Sequence, residues 1–260
     1  YVTFGDEILR DQVDLTSDAF YRRLAASDDL PSTSQPSVSD FERVYRALLE
    51  DAPDATILSI HVSAALSGTL HSGREAAARL PGANVHLFDS HTVSLPEGLM
   101  VYHAAQMAGS GVVVDMILKR LESMRAEVYS YCALDTLDYL SRGGRIGRAA
   151  RLTGTLLNMK PVLTLRGGAV EPYERYASRS RAIGALRDLA VEGGQGAARL
   201  QMGVMHAACA QDARDLADDL RKALEPEVLI VGDIGPAVGV HTGPGTIGVC
   251  WYAPPGDSPT

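Results

Sequence analysis

The chain has 260 residues, of which 46% are hydrophobic and 22% charged, enough to bury a full core in one large or two medium domains. A formal net charge of −8 excludes a general binder of the nucleic-acid backbone, whose affinity needs clustered positive charge. No apolar run approaches the roughly eighteen residues of a membrane span, and Cys132, Cys209 and Cys250 lack the spacing of a disulfide framework or a zinc site, so they read as thiols of a reducing cytoplasm.

Val2 to Leu9 reads as two strands around a Gly5-Asp6 turn, in the manner of a domain interior, and leads us to expect a further strand upstream. Thr16 or Ser17 caps a helix through Phe20, Tyr21 and Leu24. Leu30 to Ser37 carries two prolines and several hydroxyls and reads as a stiff loop able to offer fixed donors. Ser39-Asp40 is expected to cap a one-faced surface helix with Phe41, Val44, Tyr45, Leu48 and Leu49 on its apolar side.

Thr56 to Val62 reads as a strand, followed by the stretch Ser63 to Gly73 and an Ala-rich helix ending near Pro81-Gly82. A helix that opens just past a strand points unpaired N–H groups and a positive dipole end outward. Ser67 and Thr69 add hydroxyls there, and Gly68 admits close approach, so the turn is a cradle for one anionic head group. The plainer alternative makes Ser67 only an N-cap and Gly68 only a turn residue. A strand at Val85 to Asp89 and helices through Leu99 to His103 and from Asp115 to Ala126 follow. This strand and helix order implies parallel pairing, with ligands at carboxyl strand ends.

A strand over Val128 to Leu134 marks the expected change of domain. Beyond it, a helix ends at Gly143-Gly144 and another begins soon after, with Arg142, Arg145, Arg148 and Arg151 recurring every third residue. Arg148 and Arg151 read as a solvated stripe, whereas Arg145, pinned behind two glycines, is the candidate to turn toward an anion. Gly167-Gly168 signals a hairpin between Lys160 to Leu165 and Ala169 to Tyr176. Helices around Ile183 to Val191 and Ala213 to Leu224 alternate with strands at Leu200 to Met205 and Val228 to Val231. His241 and Thr242 are expected in a glycine-held turn, and the tail Ala253 to Thr260 is expected to fray.

Gly243 to Gly248 matches GxGxxG, but β-rich Val249 to Tyr252 follows where a dinucleotide fingerprint needs a helix, so that reading is set aside. Gly-x-Ser-x-Gly, HExxH and P-loop patterns are absent from the sequence. Asp89-Ser90-His91 holds triad residue types, yet neighbours on an extended chain do not converge as a triad.

Four stretches in the same order resemble one family: Thr33-Ser34-Gln35-Pro36-Ser37, Leu66-Ser67-Gly68-Thr69, Leu140-Ser141-Arg142-Gly143-Gly144-Arg145-Ile146 and His241-Thr242-Gly243-Pro244-Gly245. Together they are similar to the DegV family of bacterial fatty-acid-binding proteins, which includes the fatty acid kinase B subunits. The resemblance implies two α/β domains and a long-chain fatty acid in a tunnel, its carboxylate held by hydroxyls matching Thr33 and Ser67, with Arg145 and His241 in the head-group network. In kinase-linked members a partner ATP-dependent kinase phosphorylates the bound carboxylate to an acyl phosphate. Two departures stand out. The family's opening strand with its Asp-Ser turn is not matched, and Ala177 lies where kinase-linked members carry an arginine, the nearest here being Arg175 and Arg179.

The expectation is therefore an α/β protein of two domains, residues 1–126 with a mainly parallel sheet and residues 127–260 with a mixed sheet, and a ligand tunnel enclosed between sheet and helices. Thr33 and Ser67 hold the carboxylate, and Ser34, Gly68, Arg145, His241 and Thr242 support it. No catalytic residue, metal, cofactor, nucleic acid or integral membrane segment is expected, and the protein is cytoplasmic. Burying roughly fourteen methylenes at about 0.8 kcal/mol each supplies about 11 kcal/mol of gross driving force, so the tail dominates affinity and the polar groups fix orientation. Two other classes stay open: a hydrolase or acyltransferase using Ser67 or Ser34 with His241, and a small-anion or nucleotide module using the cradle alone.

Overall fold

The computed structural model of the protein describes residues 1–27, 30–152 and 159–254, so most of the expected frayed tail lies outside the described residues. Strands β1 (Val2–Phe4) and β2 (Glu7–Leu9) close a hairpin at Gly5-Asp6, as the pattern implies. The hydroxyl of Thr16 accepts from the Ala19 N–H and caps α1 (Ser17–Ala26). The stiff loop is not a loop throughout. Its residues Ser32–Thr33 form β3, antiparallel to β1 with Val2 opposite Thr33, because the hairpin leaves one edge of β1 free to pair. Helix α2 (Val38–Asp51) starts two residues earlier than expected. Ser37 is its cap, and Asp40 sits at the third helical position, where its carboxylate accepts from the Ser37 N–H at 2.9 Å in a capping box. Tyr45 is buried, while Val44 and Leu48 stay half exposed along a cleft beside the next strand.

Strand β4 (Thr56–His61), helix α3 (Thr69–Ala78) and strand β5 (Asn84–Asp89) form the expected parallel unit, Thr56 opposite Asn84 through His61 opposite Asp89. Helices α4 (Leu95–Gly109) and α5 (Val114–Glu127) follow. The rest of the chain supplies β6 (Tyr129–Ala133), α6 (Asp138–Arg142), a 3-10 turn at Gly147–Leu152, β7 (Lys160–Arg166), β8 (Ala169–Tyr176) and α7 (Arg179–Gly194). It ends with β9 (Gln201–His206), α8 (Ala210–Leu224), β10 (Val228–Asp233), α9 (Pro236–Thr242) and β11 (Ile247–Tyr252). These strands form one six-stranded mixed sheet in the order β10-β9-β11-β6-β7-β8, in which the β10–β9 pair is parallel. The fold is thus α/β, with a parallel pair in the first half and a mixed sheet in the second.

Strands β9 and β11 are buried at every residue, which fits central strands covered on both faces. On one face, Leu186 of α7 and Leu216 and Leu220 of α8 pack against Val204 and Val249. On the other, Leu99 and Met100 of α4 and Leu121 and Met124 of α5 join Met205, Cys250 and Tyr252, and Phe20 of α1 belongs to the same cluster. Helices of the first half therefore cover the sheet of the second, and α4 points its first turn toward the gap left above β6 and β7.

One helix departs from the sequence reading. Residues 236–242 are α9 rather than part of a glycine-held turn. Pro236 at the helix start presets the backbone angle, Gly243 at φ +73° ends the helix, and the Asp11 carboxylate, from the other end of the chain, accepts from the Ala237 N–H at 3.1 Å.

Candidate functional site

A cavity of about 400 Å³ lies between the six-stranded sheet, the β4–α3 turn, the first turn of α4, and helices α6 and α9. Its volume falls within the range of sites for small organic ligands. Val62, Leu134, Leu163, Met205, Ile234 and Val238 give it apolar walls. Six of the seven predicted site residues line it: Thr33, Ser34, Ser67, Arg145, His241 and Thr242.

Those residues reach one place from elements far apart in the chain. Pairing of β3 with β1 fixes Thr33, whose hydroxyl shares a 2.8 Å hydrogen bond with His241 Nε2 across 208 residues of sequence. Ser34 is held through its backbone, its N–H donating to the Tyr1 carbonyl at 3.1 Å. Ser67 shares a 2.8 Å hydrogen bond with the Thr69 hydroxyl at the start of α3. Gly68 directly precedes the first turn of α3, and the Ser67 hydroxyl accepts from the Thr69 N–H at 3.3 Å, so Ser67 also helps to cap the helix, as the plainer reading has it. Gly68 stands behind the cavity wall against Gln35, where a Cβ would come within 3.0 Å of the Gln35 amide nitrogen. The hydroxyl-rich segment and the cradle are thereby in contact. Thr242 turns its hydroxyl back on its own helix, donating to the Val238 carbonyl at 3.4 Å, and its carbonyl accepts from the Thr246 hydroxyl.

The two glycines ahead of Arg145 do different work. Gly144 takes φ +69°, its N–H donates to the Ser141 carbonyl, and the Arg145 N–H donates to the Leu140 carbonyl, which together make a Schellman ending of α6. Gly143 has helical angles, and it is the missing side chain that matters there. A Cβ would overlap His241 Nδ1 and lie 3.0 Å from its Cε1 and 3.1 Å from the Tyr139 carbonyl oxygen. The Schellman turn sends Arg145 over the cradle, where its Nε donates to the Leu66 carbonyl at 3.2 Å and an Nη to the Gly143 carbonyl at 2.8 Å. Arg148, expected in a solvated stripe, pairs with Glu171 at 2.5 Å while remaining mostly exposed. Arg179, one of the two arginines nearest Ala177, is ion-paired with Asp212 at 2.7 Å and Asp135 at 3.4 Å.

Burial, with a smaller contribution from the Arg145 charge, pushes the His241 imidazole down to about 4, so the ring is neutral at pH 7. Its Nδ1 is buried with no hydrogen-bond partner among the described residues. Among the described residues no hydrogen bond joins His241 to Ser67 or Ser34, and none places three or more His, Cys, Asp or Glu side chains to hold a metal ion. Asp89, Ser90 and His91 do not assemble as a triad. The Asp89 carboxylate accepts from the Ala64 and His91 N–H groups and so braces the loop ahead of the cradle.

Sequence reasoning missed three members of the site: Gln35 over Gly68, Asp11 under α9, and Glu97 in the cavity wall. Pro236 and Gly243 carried a readable signal for α9. Glu97 carried none, because an acid in a first helical turn ordinarily serves the helix dipole.

Residues 1–254 match the model of the DegV family, a family of uncharacterised proteins. A DegV domain-containing protein of Streptomyces coelicolor is 36% identical over 249 residues, which are 95% of this chain and 87% of that protein. Among solved structures, a DegV family protein from Thermus thermophilus described for its fatty acid binding superposes with a TM-score of 0.90 at 35% identity, covering 97% of this chain and 90% of that one. DegV of Bacillus subtilis, described as a fatty acid binding protein, superposes with a TM-score of 0.89 at 29% identity, covering 97% and 89%.

Proposed function

The chain belongs to the DegV family, and we propose that it binds a long-chain fatty acid in the cavity, with the carboxylate on the Thr33 and Ser67 hydroxyls. The observation that carries this reading is the Thr33–His241 pair set in the wall of a mostly apolar cavity. A neutral imidazole that donates through Nε2 to the Thr33 oxygen leaves the Thr33 proton free for an anion. The tail supplies most of the affinity, and these hydroxyls choose which end is held. Ser34, Gly68 and Thr242 support the head group by fixing the backbone around it.

The finer proposal is that the cytoplasmic partner is an ATP-dependent fatty acid kinase, which phosphorylates the bound carboxylate to an acyl phosphate. Arg145 supports it, since this exposed cation hydrogen-bonds the Leu66 carbonyl next to Ser67 and would favour the added negative charge of a phosphoryl group there. This makes the protein a carrier and not an enzyme. The absence of a Ser67–His241 or Ser34–His241 hydrogen bond among the described residues favours that over a serine hydrolase, which needs its nucleophile next to its base.

Mass spectrometry of natively purified and then denatured protein tests the binding, with a long-chain fatty acid expected in near-stoichiometric amount. Release of a nucleotide, or of no lipid under nondelipidating conditions, overturns the reading. Turnover of acyl esters with burst kinetics that Ser67→Ala removes would overturn the carrier assignment.

A further inference from the structure

Glu97 stands on the first turn of α4 and lines the cavity. Among the described residues no side chain or backbone group, those of the proposed head-group residues included, hydrogen-bonds its carboxyl. The turn that delivers it is strained, with Ser94 at φ 66° and ψ −140°, a conformation that side chains rarely adopt and that persists where surrounding structure demands it. Burial, and secondarily the charge of Asp89, pushes the Glu97 carboxyl up to about 7. An acid placed to serve the helix dipole has to be ionised, so burial here works against that use. Ser130 of β6 lines the same cavity, and its hydroxyl also makes no hydrogen bond among the described residues. The neighbouring Thr164 hydroxyl, by contrast, is closed on the Ser130 carbonyl at 2.8 Å.

A neutral carboxyl group offers one O–H donor and a carbonyl acceptor. A plain methylene chain answers neither, and it leaves both polar groups desolvated and unpaired, which penalises binding. A hydroxyl on the chain answers both. A second carboxylate on the ligand would instead add to the negative charge that Asp89 already exerts on Glu97, and like charges disfavour that. Resting on the fatty-acid reading above, we infer that the cavity selects acyl chains that carry a hydroxyl, and that Glu97 is the residue that selects them.

The test titrates the delipidated full chain with stearic acid and with hydroxystearic acids bearing the hydroxyl at an early, a middle or a late carbon. At least one hydroxystearic acid binds about threefold to tenfold tighter than stearic acid, the range of one net hydrogen bond. Glu97→Gln, whose amide still donates and accepts, keeps that preference. Glu97→Leu abolishes it and binds stearic acid tighter than the parent. Stearic acid bound by the parent with no hydroxylated acid preferred overturns the inference alone and leaves the fatty-acid reading intact. A preference that survives Glu97→Leu removes Glu97 from the selection. Binding of none of these acids overturns the fatty-acid reading itself, and this inference with it.

Discussion

Substituting Gly143 by alanine tests how the proposed head-group residues are held, because a Cβ there has no space under His241. At helical angles the added methyl would by itself stabilise, by about 0.4 to 1 kcal/mol. It would also overlap Nδ1 of His241 and crowd Cε1 at 3.0 Å, so the ring must leave and its 2.8 Å bond to Thr33 must break. Overpacking of this kind destabilises by about 1 to 3 kcal/mol, and loss of the hydrogen bond adds about 1 kcal/mol. The net loss of about 2 kcal/mol corresponds to a melting temperature lower by roughly 4 to 8 °C for a chain of this size. Gly144→Ala is the control. It is strained by φ +69° but meets open space, so it loses comparable stability without touching His241. The assay is therefore an NMR pH titration of the His241 ring alongside thermal denaturation. In Gly143→Ala the ring titrates upward from about 4 toward its ordinary 6.5, whereas in Gly144→Ala it stays low. A His241 titration unchanged in Gly143→Ala would refute the packing argument.

Thr33→Val or Ser67→Ala removes one charge-assisted hydrogen bond and weakens lipid retention about tenfold to a hundredfold without abolishing it, as read by ligand displacement; complete loss would assign the affinity to the head group and not the tail. His241→Ala retains lipid but lowers acyl phosphate formation by a cognate kinase, because a charge-stabilising group matters more in transfer than in holding; normal formation would make the residue structural. Because the His241 pKa is depressed in the fold, its contribution to stability is fully present above about 6.5 and lost as pH falls through about 4, so His241→Gln flattens the acid side of a melting-temperature profile. Glu97 has the opposite sign. Its raised pKa gives a contribution present below about 4.5 and lost as pH rises through about 7, so Glu97→Gln matches the parent in acid and melts above it at pH 8. Equal melting temperatures at both pH values would show that the carboxyl is not held in an apolar setting.

The elements that were legible in the sequence are those whose signal is local. Alternation and helical spacing located β4, α3 and β5, the glycine pair at 167 and 168 located the β7–β8 hairpin, and the glycine pair at 143 and 144 located the end of α6. What was not legible depends on partners distant in the chain. Asp40 reads locally as a cap, whereas it is the third helical residue of a box that Ser37 opens, and β3 is a strand because β1 offers an edge. Nothing near residue 97 shows that the first turn of α4 faces a cavity, since that follows from how α4 lies on β9 and β11.

The glycine pair shows where local reading stops. A sequence rule assigns both residues to ending the helix, and the backbone requires only one, Gly144, for that purpose. The other is required by a histidine about a hundred residues away, whose own position depends on Pro236, Gly243 and an aspartate near the start of the chain. Arg145 and His241 thus rest on the same two-glycine segment, one carried by its turn and the other seated in its missing side chain. A change to either glycine therefore reaches the proposed head-group site by a different route, and the proposed carboxylate ligands Thr33 and Ser67 feel the first through His241 and the second through Arg145 at Leu66.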